Sequence, residues 1–221
     1  MSETKCRFGR NVRTLATGLL PIDDLLPAKA FALGAVHEVL SGTPLPSLVL
    51  PLLLTRAASE VGRVVWCDSS SRFNPPAVQA MGMPLHRLTV LRPHNPGDEM
   101  WAVAECLRCS GVAVCVASVE RLSRIHARKL QLAAERGGGI GILLRPARAV
   151  SWPYAAATRW MVKPASGGRT VQRWSVELIH GHGGRVGQSV LLEWCRETHH
   201  VRAIEVLADR PGQTEVAVAS A

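Results

Sequence analysis

Residues 112–144 read VAVCVASVERLSRIHARKLQLAAERGGGIGILL, and the order of side chains in this stretch decides the fold. Val112 to Val119 is an unbroken apolar run, the mark of a strand covered on both faces. Leu122 to Arg136 then carries its apolar residues at helical spacing, and Gly137-Gly138-Gly139 ends it. Ile140 to Leu144 is a second buried strand. A strand, a helix and a second strand joined this tightly make a right-handed crossover, and the two strands must lie parallel.

The same alternation extends toward the N-terminus. Pro21 to Leu26 suits a short helix, Gly34 to Leu40 (GAVHEVL) a strand, and Ser47 to Val61 a helix that tolerates Pro51 in its first turn. Arg63 to Cys67 is a strand, residues 75–82 a short helix, and Arg87 to Leu91 a strand. Asp98 is placed to cap a helix running to about Cys109. After residue 150 the helices stop. Ala157 to Val162, Val171 to Ile179 and Gln188 to Trp194 are strands, with a turn at residues 180–184 between the last two. The expected fold is α/β: a mostly parallel twisted sheet flanked by helices, ending in antiparallel strands. One domain over 14–208 is expected, between a loose polar arm at 1–13 and a flexible tail at 209–221.

The composition narrows the function classes. With 47% apolar residues in 221, the chain has enough material for a core, which excludes wholesale disorder. The formal net charge of +9 favours polyanions or acidic partners. No apolar run spans a bilayer, since Leu45 to Leu54 is broken by Pro46 and Pro51. The N-terminal MSETKCRFGRN does not resemble a secretory signal. The cysteines are scattered, two of them inside buried strands, as is usual for thiols in the cytoplasm. A cytoplasmic protein without membrane contact is expected. Cys106-Leu107-Arg108-Cys109 has no matching second pair, so no metal and no cofactor is expected.

Four blocks resemble the core of RecA-type recombinases: Ala16-Thr17-Gly18 with Ile22-Asp23, Gly34 to Val39, Gly62 to Pro75 with Met81-Gly82, and Val171 to Trp194. The short chain and the fragments IDDLLP, GAVHEVL, LQLAAERGG and LLRPARA are similar to the ImuA branch of that group. The resemblance implies a RecA-like core. It also implies a role in DNA damage tolerance, the SOS-linked, error-prone translesion synthesis that members carry out with an ImuB-like adaptor and a DnaE-type polymerase. RecA itself is a further partner to expect.

The resemblance also marks what is missing. A phosphate loop needs G-x-x-x-x-G-K-[ST], whose backbone N–H groups wrap phosphates while its lysine neutralises them. Here the strand leads into Gly42, Thr43, Pro44, Leu45, Pro46 and Ser47, without the second glycine or the lysine. Both prolines remove N–H donors. No lysine occurs between Lys29 and Lys129. Aligned on the family pattern through Asp68 and Pro75, the glutamate that activates water falls at Ser70; the magnesium-supporting aspartate would end the strand Val112 to Val119, where Ala117 stands nearest. A pseudo-ATPase, not an enzyme, is expected.

Two groups of residues are candidates for binding DNA or a partner. Arg145, Arg148 and Trp152 lie where RecA-like proteins carry a DNA-binding loop, and arginines with an indole suit phosphates and a stacked base of single-stranded DNA. Arg121, Arg124 and Arg128 share a stripe of the helix from Leu122, although a solvated face is the commoner reason for such a stripe. The alternative function is that of SulA, a cell-division inhibitor with the same reduced fold, which would bind the tubulin-like division protein.

Overall fold

The structure is a computed structural model that describes residues 13–42, 48–69 and 73–207. Its strands are β1 (Thr14–Leu15), β2 (Phe31–Ala32), β3 (Ala35–Ser41), β4 (Arg63–Cys67), β5 (Leu88–Leu91), β6 (Val112–Ser118), β7 (Ile140–Pro146), β8 (Thr158–Ala165), β9 (Val171–Gly181), β10 (Ser189–Cys195) and β11 (Val201–Leu207). Its helices are α1 (Leu20–Asp23), α2 (Val49–Ala58), α3 (Pro75–Ala80), α4 (Pro96–Arg108) and α5 (Arg124–Gly137). β1 and β2, with α1 between them in the chain, form a separate two-stranded antiparallel sheet, and the other nine strands make one sheet in the order β11-β10-β9-β8-β3-β7-β6-β4-β5.

From β5 to β8 every neighbouring pair is parallel, and β8-β9, β9-β10 and β10-β11 are antiparallel. This is the expected α/β architecture with its antiparallel end. Strands covered on both faces are buried almost throughout: all seven residues of β3, with His37 and Glu38 among them, and the last four of β4 are buried. β9 alternates instead, with Trp174, Val176 and Leu178 buried and the residues between them half-exposed. That period of two belongs to a strand with one wet face.

α2 packs Leu50, Leu54 and Ala58 onto one face of the sheet, against Val64, Trp66, Val114 and Ile142. α4 and α5 cover the other face with Val103, Leu107, Leu130 and Ala134, against Val65, Cys115 and Leu143. α5 begins at Ser123, whose hydroxyl accepts the His126 N–H, and stops at Gly138, which takes the left-handed conformation (φ 78°). Gly137 and Gly139 let the helix end meet its neighbours: a Cβ on Gly137 would lie 2.0 Å from the Leu107 carbonyl oxygen, and one on Gly139 2.3 Å from that of Val112.

Several boundaries differ from the sequence expectation. α4 starts at Pro96 with Asn95 as its cap position, so Asp98 lies in the first turn and accepts from the Asn95 amide. β7 continues through Arg145 and Pro146 instead of stopping at Leu144, because its pairing with β3 runs on to Ser41–Pro146. β11 and the two-stranded β1-β2 sheet are additional. The expected arm at 1–13 and tail at 209–221 fall outside the described residues, apart from residue 13. Among the described residues, no helix is long and apolar enough to cross a membrane.

Candidate functional site

In an open parallel sheet, ligands bind beyond the carboxyl ends of the strands, where the strand order reverses. Here the chain leaves β3, crosses to β4 and β5, and returns through β6 and β7 to flank β3 again. The crevice to inspect therefore lies beyond Ser41, Cys67, Ser118 and Pro146. Gly42, directly after β3, is exposed. Thr43, Pro44, Leu45, Pro46 and Ser47 lie outside the described residues, as does Ser70. Ala117 is fully buried on β6, in register with Cys67 and Leu143.

Asp68, directly after β4, and Glu99, bonded to Ser69, are carboxylates at this edge. Asp68 is buried, and its Oδ2 accepts the Phe73 N–H at 2.9 Å, with Arg92 Nε 4.0 Å away. Ser69 donates its hydroxyl to Glu99 at 3.1 Å. Burial pushes the Glu99 carboxyl above its usual range, the Ser69 bond pulls it back, and the Asp68 charge raises it further. Among the described residues, no group of three or more His, Cys, Asp or Glu is placed to hold a metal ion.

Beside β7 the sheet carries a buried charged cluster. Glu38, in mid-β3, accepts from Arg145 Nη1 at 3.0 Å and from Arg159 Nε at 2.9 Å. All three side chains are buried. Arg159 also donates to the Val150 carbonyl (3.0 Å) and the Ala149 carbonyl (2.7 Å), which fastens the 3-10 helix Ala147–Ser151 to the sheet. Its guanidinium carbon lies 4.2 Å from the centre of the Tyr154 ring. Tyr154 is exposed at its rim, and its hydroxyl is 3.0 Å from His180 Nδ1. Burial, then the neighbouring His182 and Arg159, hold the His180 imidazole below its ordinary pKa.

The expected binding loop therefore divides. Arg148 is exposed and paired with Glu120, and Trp152 is half-buried. Both Arg145 and Arg148 lie over the Trp152 ring, at 5.6 and 5.9 Å. Arg145 itself is not a surface residue, which corrects the sequence expectation. As part of β7 it points into the sheet toward Glu38 and cannot reach DNA without unfolding the strand end. Tyr154 is an addition that the sequence did not single out, and His180, expected as a surface histidine of the turn, is its partner. What remains on the surface is a firmly held loop displaying Arg148, Trp152 and Tyr154, a set able to contact a phosphate and stack on a base.

Arg121, Arg124 and Arg128 are all exposed. Arg121 precedes the helix, because Ser123 caps it, so the expected three-residue stripe contains two helical arginines.

Protein ImuA of Caulobacter vibrioides is 31% identical to this chain over 220 residues, covering 88% of the chain and 90% of that protein. The chain belongs to the ImuA family. Cell division inhibitor SulA of Edwardsiella piscicida is 29% identical over 115 residues, covering 51% of this ImuA-family chain and 68% of SulA. A crystal structure of the RadB recombinase superposes with a TM-score of 0.68 at 15% identity, covering 86% of this chain and all of the other, which shows the RecA-like fold. No family model matches the sequence. ImuA membership and the RecA-like fold agree with the resemblance noted in the sequence.

Proposed function

We propose that this ImuA-family chain is a non-catalytic accessory protein in DNA damage tolerance, serving error-prone translesion synthesis. It acts through protein partners, an ImuB-like adaptor, a DnaE-type polymerase or RecA, and it contacts single-stranded DNA through the loop 147–154. The carrying observation is Ala117. Ala117 stands nearest the place where the RecA-type pattern has an acid to support magnesium, and it is a fully buried methyl group between Cys67 and Leu143. The sequence after Gly42, TPLPS, supplies neither a lysine nor a full set of N–H donors for phosphates. With both parts missing, the core serves as a scaffold for contacts.

Affinity capture of the tagged full chain from DNA-damaged cells, followed by mass spectrometry, tests this role. Co-purification of the adaptor, the polymerase or RecA is the expected result. The SulA similarity favours a second reading, a cell-division inhibitor. Capture of the tubulin-like division protein instead would overturn the bypass role. The DNA contact has its own test. Affinity for single strands should fall with salt at a log–log slope of roughly −0.7 per phosphate neutralised, and Arg148→Ala should make that slope shallower. A flat salt response would remove DNA from the proposal.

A further inference from the structure

The outer face of α5 carries side chains that the fold itself does not use. The helix buries Ala127, Leu130, Ala133 and Ala134 against the sheet. One edge is tied to β3: Gln131 Oε1 accepts the Val36 N–H at 3.1 Å, and Gln131 Nε2 donates to the Gly34 carbonyl and to Glu135. The direction opposite the buried residues should be the most polar. It holds Ile125, 79% exposed, and Leu132, 47% exposed. At about 100° per residue these two fall within roughly 20° of one another, two turns apart along one line. Arg124, Arg128, Lys129 and Arg136 flank that line and are exposed, with Arg121 just ahead of the helix. Among the described residues none of these five cations is in an ion pair. Trp101, 60% exposed, stands on α4, the helix packed alongside.

Single exposed aliphatics are ordinary on a protein surface. Two on the centre line of a helix, rimmed by unpaired cations, match one kind of occupant. An amphipathic helix seats apolar side chains at i, i+3 or i+4, and i+7 on such a line, and its flanking carboxylates meet the cations. A nucleic-acid strand fits less well. Its phosphates would satisfy the cations but leave Ile125 and Leu132 against charged backbone. We propose that the outer face of α5 is a docking surface for an acidic amphipathic helix of a partner protein. This deepens the accessory role proposed above and rests on it for its purpose, but the binding chemistry is independent of it.

The probe is a displayed library of random peptides about 16 residues long, roughly four helical turns, selected on the immobilised full chain and in parallel on an I125S/L132S variant. The wild type should enrich acidic peptides with apolar residues at helical spacing. A recovered peptide, synthesised, should bind saturably. Both I125S/L132S and R124E/R128E should weaken it at least about tenfold, as loss of central contacts does. Both variants should keep the wild-type circular dichroism and melting curve. The proposal is overturned if no such peptides are enriched, or if the variants bind them equally. It is also overturned if a single-stranded oligonucleotide occupies the face, with an affinity that falls in R124E/R128E and is unchanged in I125S/L132S. Capture of the division protein would overturn the bypass role while leaving the peptide result intact. Failure of the peptide would leave the bypass role intact.

Discussion

Glu38→Gln keeps the shape of the buried side chain at the centre of the sheet and removes its charge. Glu38 is the one hydrogen-bond partner that the Arg145 guanidinium has among the described residues, because its Nε and Nη2 have none. Arg159 keeps its two carbonyl acceptors, Ala149 and Val150. The loss therefore concentrates at Arg145, a guanidinium with no exposed side-chain surface. Breaking a buried pair from one side costs about 3–5 kcal/mol. For a domain of this size each kcal/mol moves the melting point by about 2–4 °C, so Tm should fall by roughly 6–20 °C. Arg145→Met is the informative companion. It removes the buried cation together with its two unpaired N–H groups and leaves Glu38 held by Arg159, so it should cost no more than about 1.5 kcal/mol. Urea unfolding followed by tryptophan fluorescence, with Trp160 fully buried as a reporter, reads both variants. A Glu38→Gln cost below about 1 kcal/mol, or an Arg145→Met cost equal to it, would refute the reasoning.

Three further outcomes follow from the structure. Burial pushes the His37 imidazole from 6.5 down to about 4, against a smaller upward pull from its bond to the Ala32 carbonyl. The unfolded chain thus takes up a proton near pH 6.5 that the folded chain refuses until about pH 4. Stability is full above that window and falls through it as the pH drops, by up to about 3 kcal/mol. Urea midpoints should decline more across the window in wild type than in His37→Gln, and equal declines would contradict the assignment. Burial, with the Glu99 charge adding to it, pushes the Cys67 thiol up to about 12. Iodoacetamide on the native protein should therefore label exposed Cys109 and spare Cys67 until the chain unfolds, and equal labelling in mapped peptides would sink this. Gly137→Ala places a methyl 2.0 Å from the Leu107 carbonyl oxygen and should cost more than about 2 kcal/mol in thermal unfolding. Gly111→Ala, whose nearest neighbour is 3.9 Å away, should cost little, and similar losses in both would contradict the close approach.

The parallel half of the sheet was legible because its strands are covered on both sides, so continuous apolar runs such as Val112 to Val119 name themselves. The glycine run at 137–139 gave the end of α5 for a sound reason, since Gly138 takes the left-handed turn there. Arg145 was misplaced because a charged residue before a proline looks like the start of a loop. What keeps it in the strand is Glu38, 107 residues earlier in the chain, and such a pairing leaves no local trace. Arg159 and Tyr154 were missed for the same reason, as each is defined by a partner distant in sequence, Glu38 for Arg159 and His180 for Tyr154. β11 was overlooked although Val201 to Leu207 is rich in β-branched residues, because its charged Arg202 and Glu205 dilute the apolar signal of an edge strand. Arg202 is there for a purpose: it joins Arg173 in holding buried Glu193, and the bond from Arg202 is the largest influence keeping that carboxyl below its ordinary pKa.

The proposed non-catalytic role requires a RecA-like core that turns over no ATP. The direct measurement is ATP turnover by homogeneous full-length protein with magnesium, with and without single-stranded DNA. Phosphate release should be no faster than in buffer alone, with or without DNA. Turnover that saturates with ATP and is stimulated by single strands would contradict it.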